Sequence, residues 1–437
     1  MLFRQFVNSE LGCASYLVGD ERTGAAFLVD PAFAIEQYPD DVRLVGVLET
    51  HTHADHVSGH GRLALERDVP VWIHPLAEPD YPFEALEDGR ELELGDVTIR
   101  VLHTPGHRPE HCSFLVLEHG EPRLVLTGDS LFVGDAARPD LAVEAREGAR
   151  DLFGSLARLA ALPEDVAVYP GHVAGSLCGG SMSADPSSTI GAERRGNHAL
   201  AFSELEAFVN HSAAISTPRP PNVARIVELN RGPWILAPVP LEPVERDEET
   251  VLDVRPAAAY VAGHVPGALN VPVSGGSFGT KAGFVLSADE QVALHASSPA
   301  AAERAAWMLW SVGFLDLAGY LDDPETPDRV EPVDLDELEQ LLAGEEIELI
   351  DVRDKDERDG GYIAGSRNIP YRLLRAYANE LAEGQPVVTI CESGPRAAIA
   401  ASILVAAGVP ARPVLEGGIG AWQARGGSTI EFRRCGS

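Results

Sequence analysis

Residues 50–56 read Thr50-His51-Thr52-His53-Ala54-Asp55-His56, directly after the apolar run LVGVLE. Three further polar ends follow apolar runs: Thr104-Pro105-Gly106-His107, Thr127-Gly128-Asp129 and Tyr169-Pro170-Gly171-His172. Around them, short strand candidates recur between turns: ASYLVG, AAFLVD, VPVWIH, SFLVLE, RLVLTGD. Many such runs end in His or Asp. Strands that deliver polar side chains at their C-terminal ends are how an α/β or α+β scaffold builds a site. Imidazole and carboxylate are ligands that suit Zn, Fe or Mn. His51, His53, Asp55, His56, His107, Asp129 and His172 are therefore candidate metal ligands.

Two stretches rich in Pro and acid, PVPLEPVERDEET at 238–250 and DDPETPDRVEPVD at 322–334, read as linkers. They divide the chain into 1–240, 241–328 and 329–437. The second and third pieces repeat each other. Asp253-Val254-Arg255 matches Asp351-Val352-Arg353, and GHVPGALNVP from Gly263 matches GYIAGSRNIP from Gly361. In each piece an apolar run, a short polar loop and a helix-like stretch come next. That order predicts an α/β unit with a parallel sheet.

In the third piece, VVTI runs into Cys391-Glu392-Ser393-Gly394-Pro395-Arg396 and then an Ala-rich helix. A loop wrapped around a Cys at a helix N-terminus points backbone N–H groups at the sulfur and favours a thiolate or persulfide anion. Arg396 is expected to add a fixed cation. The middle piece has no Cys. Placing Gly313 on Gly408 sets Ala296 opposite Cys391 and Ala301 opposite Arg396, so that piece should be catalytically inert. Its spacer, docking or allosteric role is left open.

The chain has 437 residues and a formal net charge of −33. The three segments 1–240, 241–330 and 331–437 carry −17, −9 and −7, so the acidity is spread along folded chain. Such a balance excludes nucleic acid and anionic membrane surfaces as partners, since both demand Lys and Arg. No secretory signal or long apolar span is visible, and five scattered cysteines suit a reducing cytoplasm.

The H-x-H-x-D-H cluster with its spaced G-H and G-D partners resembles the metallo-β-lactamase superfamily. That resemblance covers about residues 1–235 and implies an αββα sandwich with the site at one edge. The longer stretches 104–114 (TPGHRPEHCSF) and 169–197 resemble the persulfide dioxygenase branch that is fused to rhodanese domains. The branch implies one Fe(II) held by His51, His107 and Asp129, with His53, Asp55, His56 and His172 in an outer network. Cys178, in the Gly-rich stretch GSLCGG, is a candidate for the substrate channel, set against a plain buried thiol.

C-x-x-x-x-R after a strand, with D-V-R upstream, resembles the rhodanese family. It implies that Cys391 accepts sulfane sulfur as a persulfide, while Asp351 and Arg353 support the structure. Glu392 stands where many thiosulfate-using members carry a second cation, which argues against thiosulfate as donor.

The whole order resembles bacterial persulfide dioxygenase–sulfurtransferase fusions: metallo-β-lactamase sandwich, inactive rhodanese-like domain, active rhodanese. It implies a low-molecular-weight thiol persulfide, O2 and sulfite as reactants, and a homo-oligomer. All seven metal candidates also match the set that glyoxalase II uses for two metals. A dinuclear zinc thioester hydrolase is thus the alternative, with Zn as the alternative metal. Since persulfide and sulfite are anions, a negative chain must capture them locally, in small electropositive pockets at the metal and around Cys391.

Overall fold

The computed structural model describes residues 1–173, 183, 185–214, 218–247, 249–381 and 384–432. Cys178 lies outside the described residues. The chain divides into two compact units, 1–238 with 310–313, and 239–309 with 314–437. No described helix is long and apolar enough to cross a membrane.

The first unit is built on two six-stranded sheets. In one, the order is Leu2–Asn8, Cys13–Gly19, Ala25–Val29, Arg43–Leu48, Val71–Ile73 and Glu84–Ala85, antiparallel at first and parallel from Ala25–Val29 onward. In the other, Ala167–Pro170, Glu121–Gly128, Cys112–Glu118 and Val97–His103 run side by side. Side chains on a strand alternate between faces, and here both faces are buried. Tyr16, Val18, Phe114, Val116 and Leu126 share the core between the sheets. Their neighbours Leu17, Leu28 and Val47 pack with Leu63 of the helix His60–Arg67. Leu115, Leu117, Val125 and Val168 pack with Leu152, Leu156 and Leu159 of the helix Ala145–Ala160. That helix repeats its apolar residues at three- and four-residue spacing and is capped by the Glu144 carboxylate, which accepts from Arg146 N and Glu147 N. Helix, sheet, sheet, helix is the αββα sandwich expected. Burial on both faces is why these strands read as continuous apolar runs.

The second unit holds two parallel sheets. The order is Pro243–Val244, Leu317–Leu321, Val292–His295, Thr250–Asp253, Leu269–Asn270 in one, and Arg367–Asn368, Glu348–Asp351, Val387–Ile390, Ala411–Pro413 in the other. The repeated motif residues do the same work in both. Arg255 Nη2 donates to Asp253 Oδ2 at 2.6 Å and to Gly263 O at 2.8 Å. Arg353 Nη2 donates to Asp351 Oδ2 at 2.8 Å and to Gly361 O at 2.7 Å. Asn270 and Asn368 each donate through Nδ2 to the carbonyls of their own Asp and Arg. D-V-R and the downstream Asn are thus a clamp that ties strand end, loop and neighbouring strand.

The register confirms one pairing and corrects another. Asp253 lies opposite His295 and Asp351 opposite Ile390, so Ala296 occupies the place of Cys391. The following helices begin at Pro299 and Pro395, which leaves the inert loop one residue shorter. Ala300 rather than Ala301 therefore faces the position of Arg396, again without a cation. The domain without a cysteine is docked on the one that carries Cys391. Arg375 grips both oxygens of Glu290 at 2.8 and 2.7 Å. Ser402, on the helix that Cys391 precedes, accepts from Asn270 N at 2.9 Å in a buried contact.

Substituting Asp351→Ala takes from the buried Arg353 its buried counter-charge and leaves it only the more exposed Glu392. The expected cost is about 3–5 kcal/mol in urea unfolding of the second unit, whereas a loss under about 1 kcal/mol would show that the clamp is dispensable.

Candidate metal and sulfur-transfer sites

The strand Ala25–Val29 ends at Asp30, and Arg43–Leu48 runs into Glu49, Thr50 and His51. Asp30 accepts from Thr50 N at 2.7 Å and from Thr50 Oγ1 at 2.8 Å. With the hydroxyl proton so committed, Thr50 Oγ1 accepts from His51 Nδ1 at 2.9 Å, and His51 keeps its Nε2 lone pair. His107 Nδ1 donates to Arg138 O at 3.0 Å, which leaves Nε2 free 3.5 Å from Asp129 Oδ2. Burial, reinforced by neighbouring imidazoles, holds His51 well below the usual histidine range; burial also lowers His107. Both are therefore neutral and able to ligate.

Asp129 completes the set. Burial alone would raise its carboxyl, but the His172 imidazole and its hydrogen bond outweigh that and hold it far below the usual range. Asp129 Oδ2 is buried without a hydrogen-bond partner. Ligand atoms of His51, His107 and Asp129 lie within 4.8 Å of one another. Two neutral imidazoles and an ionised carboxylate with an orphaned oxygen fit a divalent transition ion.

Glycine precedes Asp129 and His172 for reasons of space. Gly128 sits at φ +49°, and a Cβ there would come within 2.7 Å of His111 Nε2. At Gly171 a Cβ would lie 2.5 Å from Asp129 Oδ1.

Of the other four candidates, His172, Asp55 and His56 are linked to one another, and His53 faces two further carboxylates. His172 donates from Nδ1 to Asp129 Oδ1 and from Nε2 to Asp55 Oδ2, both at 2.8 Å. Burial works against its charge, yet Asp129 and Asp55 carry it up to about 10. Asp55 Oδ1 also meets His56 Nδ1 at 3.1 Å, and His56 Nε2 has no partner. His53 turns its Nε2 toward Glu49 Oε2 at 3.2 Å and Asp30 Oδ1 at 3.3 Å. Ligand atoms of His53, Asp55 and His56 also gather within 4.8 Å, as do those of Asp30, Glu49 and His53.

Sequence reasoning passed over several participants. Asp30 and Glu49 close apolar runs in the same way as the ligands, and that signal was available. Glu49 accepts from Ser58 Oγ at 2.6 Å and faces His60 Nδ1 at 3.2 Å. Burial opposes its ionisation, but the His53 and His60 contacts hold it down to about 2. His111 accepts from Asp129 N through Nε2 at 3.0 Å and meets Thr104 Oγ1 through Nδ1 at 2.9 Å. Burial pushes it down to about 3.

Cys391 stands directly after the strand Val387–Ile390 and is buried. Gly394, at φ +108°, donates its N–H to Sγ at 3.1 Å. The helix Pro395–Ala406 begins next to it. Arg396 was expected to add a fixed cation, and it is fixed by a carboxylate. Both Nη groups bind Glu357, at 2.5 and 2.9 Å. Glu392 is in turn held by Arg353 Nη1 at 3.0 Å. The loop is charge-compensated, and the electropositive pocket expected there is not built from Arg396.

Family comparison matches residues 9–172 to the metallo-β-lactamase superfamily, and 241–323 and 334–425 to the rhodanese-like domain. A solved metallo-β-lactamase from Staphylococcus aureus superposes with a TM-score of 0.68 at 30% identity, covering 74% of this chain and 98% of that one. The human mitochondrial persulfide dioxygenase ETHE1 is 29% identical over 53% of this chain and 87% of its own length. A cytoplasmic hydroxyacylglutathione hydrolase from Arabidopsis thaliana is 37% identical over 36% of this chain; the chain spans 62% of that protein.

The His172 bridge sets a pH window for the metal-free protein. Its folded value, about 10, lies above the unfolded one near 6.5. Its contribution is therefore full below pH about 6.5 and lost as pH rises through about 10. The stability gap between chelator-treated wild type and His172→Gln should shrink across that window. A gap that widens with pH would contradict the bridge.

Proposed function

This chain belongs to the metallo-β-lactamase superfamily over residues 9–172 and carries two rhodanese-like domains behind it, and from that premise we propose an iron-dependent persulfide dioxygenase coupled to a sulfurtransferase. One observation carries the reading. The ligand atoms of His51, His107 and Asp129 lie within 4.8 Å of one another, with His51 and His107 each committing Nδ1 to a hydroxyl or carbonyl and keeping Nε2, while His172 spends both ring nitrogens on Asp129 and Asp55. Two His and one carboxylate are the donor set of non-haem iron oxygenases. The relatives support processing of persulfide sulfur; the first reaction, the metal and its count are our inference.

When bound, Fe(II) supplies the redox chemistry that activates O2, which Zn(II) lacks. The protein's part is positional. Thr50 with Asp30, and the Arg138 carbonyl, fix the Nδ1 protons of His51 and His107 so that each ring presents Nε2. His172 holds protons between Asp129 and Asp55 and offsets the negative charge of both. Burial of the set keeps bulk water from the reacting sulfur. Overall, a thiol persulfide, O2 and water give the free thiol, sulfite and two protons.

In the third domain, the Cys391 thiolate attacks the outer sulfur of a second persulfide and releases its thiol. The resulting cysteine persulfide passes that sulfur to sulfite, giving thiosulfate and the original thiolate. Gly394 N–H stabilises the sulfur anion during both steps. The domain limits 1–240, 241–328 and 329–437 are part of this proposal.

The His53, Asp55 and His56 atoms favour a second reading, a two-zinc thioester hydrolase with an appended sulfurtransferase. It requires His172 to give up Asp55 for a metal. Metal analysis of anaerobically prepared protein, run with an oxygen electrode, separates the two. We expect about one iron per chain and O2 uptake with persulfide. Two zinc ions and thioester hydrolysis without O2 uptake would overturn the dioxygenase. His107→Ala should lower O2 uptake by more than about 100-fold, and Cys391→Ser should abolish sulfur transfer while leaving O2 uptake intact.

A further inference from the structure

Arg108 and Thr52 are the residues that directly follow His107 and His51. Both are buried, and both are tied to one carboxylate. Arg108 Nε donates to Glu110 Oε1 at 2.5 Å, and Thr52 N donates to the same oxygen at 3.3 Å. Glu110 thereby joins the loop carrying His51 to the loop carrying His107. Among the described residues, the two Nη groups of Arg108 have no protein partner, since its only bond is through Nε. The Thr52 hydroxyl, 2% exposed, is also without a hydrogen-bond partner. A guanidinium whose outer fork makes no protein bond, joined through Glu110 to the loop with a buried orphan hydroxyl, can take an oxyanion. The charge of Arg108 reaches both His51 and His107.

We propose that Arg108 and Thr52 form an oxyanion subsite flanking the metal ligands, which takes a carboxylate or phosphate of the thiol that carries the substrate sulfur. A guanidinium fork matches the two oxygens of either group, and the pairing is strongest where water is excluded. Glu110 occupies Nε and so aims the outer fork away from itself. In a chain of net charge −33 this subsite supplies an open guanidinium edge for anionic substrates, which Arg396, with both Nη groups on Glu357, does not offer. The inference rests on the reading that the metal pocket receives a low-molecular-weight thiol, whichever reaction follows.

The test is calorimetric binding of unreactive carriers to the metal-containing protein: S-methylglutathione, its dicarboxylate diester, and S-methyl-coenzyme A. Tighter binding of S-methylglutathione than of the diester, by about tenfold, identifies a carboxylate. The same preference for S-methyl-coenzyme A identifies a phosphate. Arg108→Gln combined with Glu110→Gln should erase the preference without leaving a buried charge unpaired. Thr52→Val, a milder change, should weaken binding several-fold, and unchanged affinity there overturns the proposal even where the double variant fails to fold. A preference that survives loss of Arg108, or that is absent from wild type with both carriers, also overturns it. Oxygen uptake is measured separately. Its absence alongside an Arg108-dependent preference removes the dioxygenase reading and leaves the subsite standing.

Discussion

The metal end of the first unit depends on pairing buried carboxylates with buried imidazoles. Asp30, Glu49 and Asp129 are all nearly inaccessible, and an isolated carboxylate in such a place would be neutralised by burial. Each instead has a histidine or a hydroxyl within hydrogen-bond reach. Asp30 has Thr50 and His53, Glu49 has His53, His60 and Ser58, and Asp129 has His172. The balance decides which ring nitrogens stay free. His53 and His172, each facing two carboxylates, are favoured with both nitrogens protonated, whereas His51 and His107 donate Nδ1 to a hydroxyl and a carbonyl and keep the Nε2 lone pair. The two pairs of histidines differ by their partners, not by their type.

Much of the architecture was legible because the first unit buries both faces of its sheets. Runs such as SFLVLE and RLVLTGD have no solvent face to mark with polar residues, so they stand out as uninterrupted apolar segments. The repeat of D-V-R and of the downstream Asn was legible because one clamp recurs in both parallel sheets. The length of the inert loop was not. A constant offset between Ala296 and Cys391 carries past the loop only if both loops have equal length, and the missing residue lies before Pro299, where nothing apolar reports it.

The site was legible as a set of residues but not as a set of roles. Seven candidates at strand ends pointed to metal, yet their spacing is compatible with one ion or two. The division between His51 and His53 is made by Thr50 and Asp30 on one side and Glu49 on the other. Those partners come from different strands, and only the folded sheet brings Asp30 beside Thr50. Arg396 teaches the same lesson in reverse. Its cationic role looked secure from the loop alone, but Glu357, far away in sequence, takes both of its Nη groups.

The bond from Asn270 N to Ser402 Oγ gives the inert domain a different kind of importance. Its own loop has neither thiol nor cation, although Ser298 there still caps the following helix, its hydroxyl accepting from Ala301 N at 3.2 Å. On its outer strand, one backbone N–H finds its acceptor on the helix behind Cys391. A duplicated domain in this position can decay at its chemical end and must hold its shape at its edge. Deleting it would remove no cysteine, yet it would open to solvent the buried Ser402 and the helix face around it.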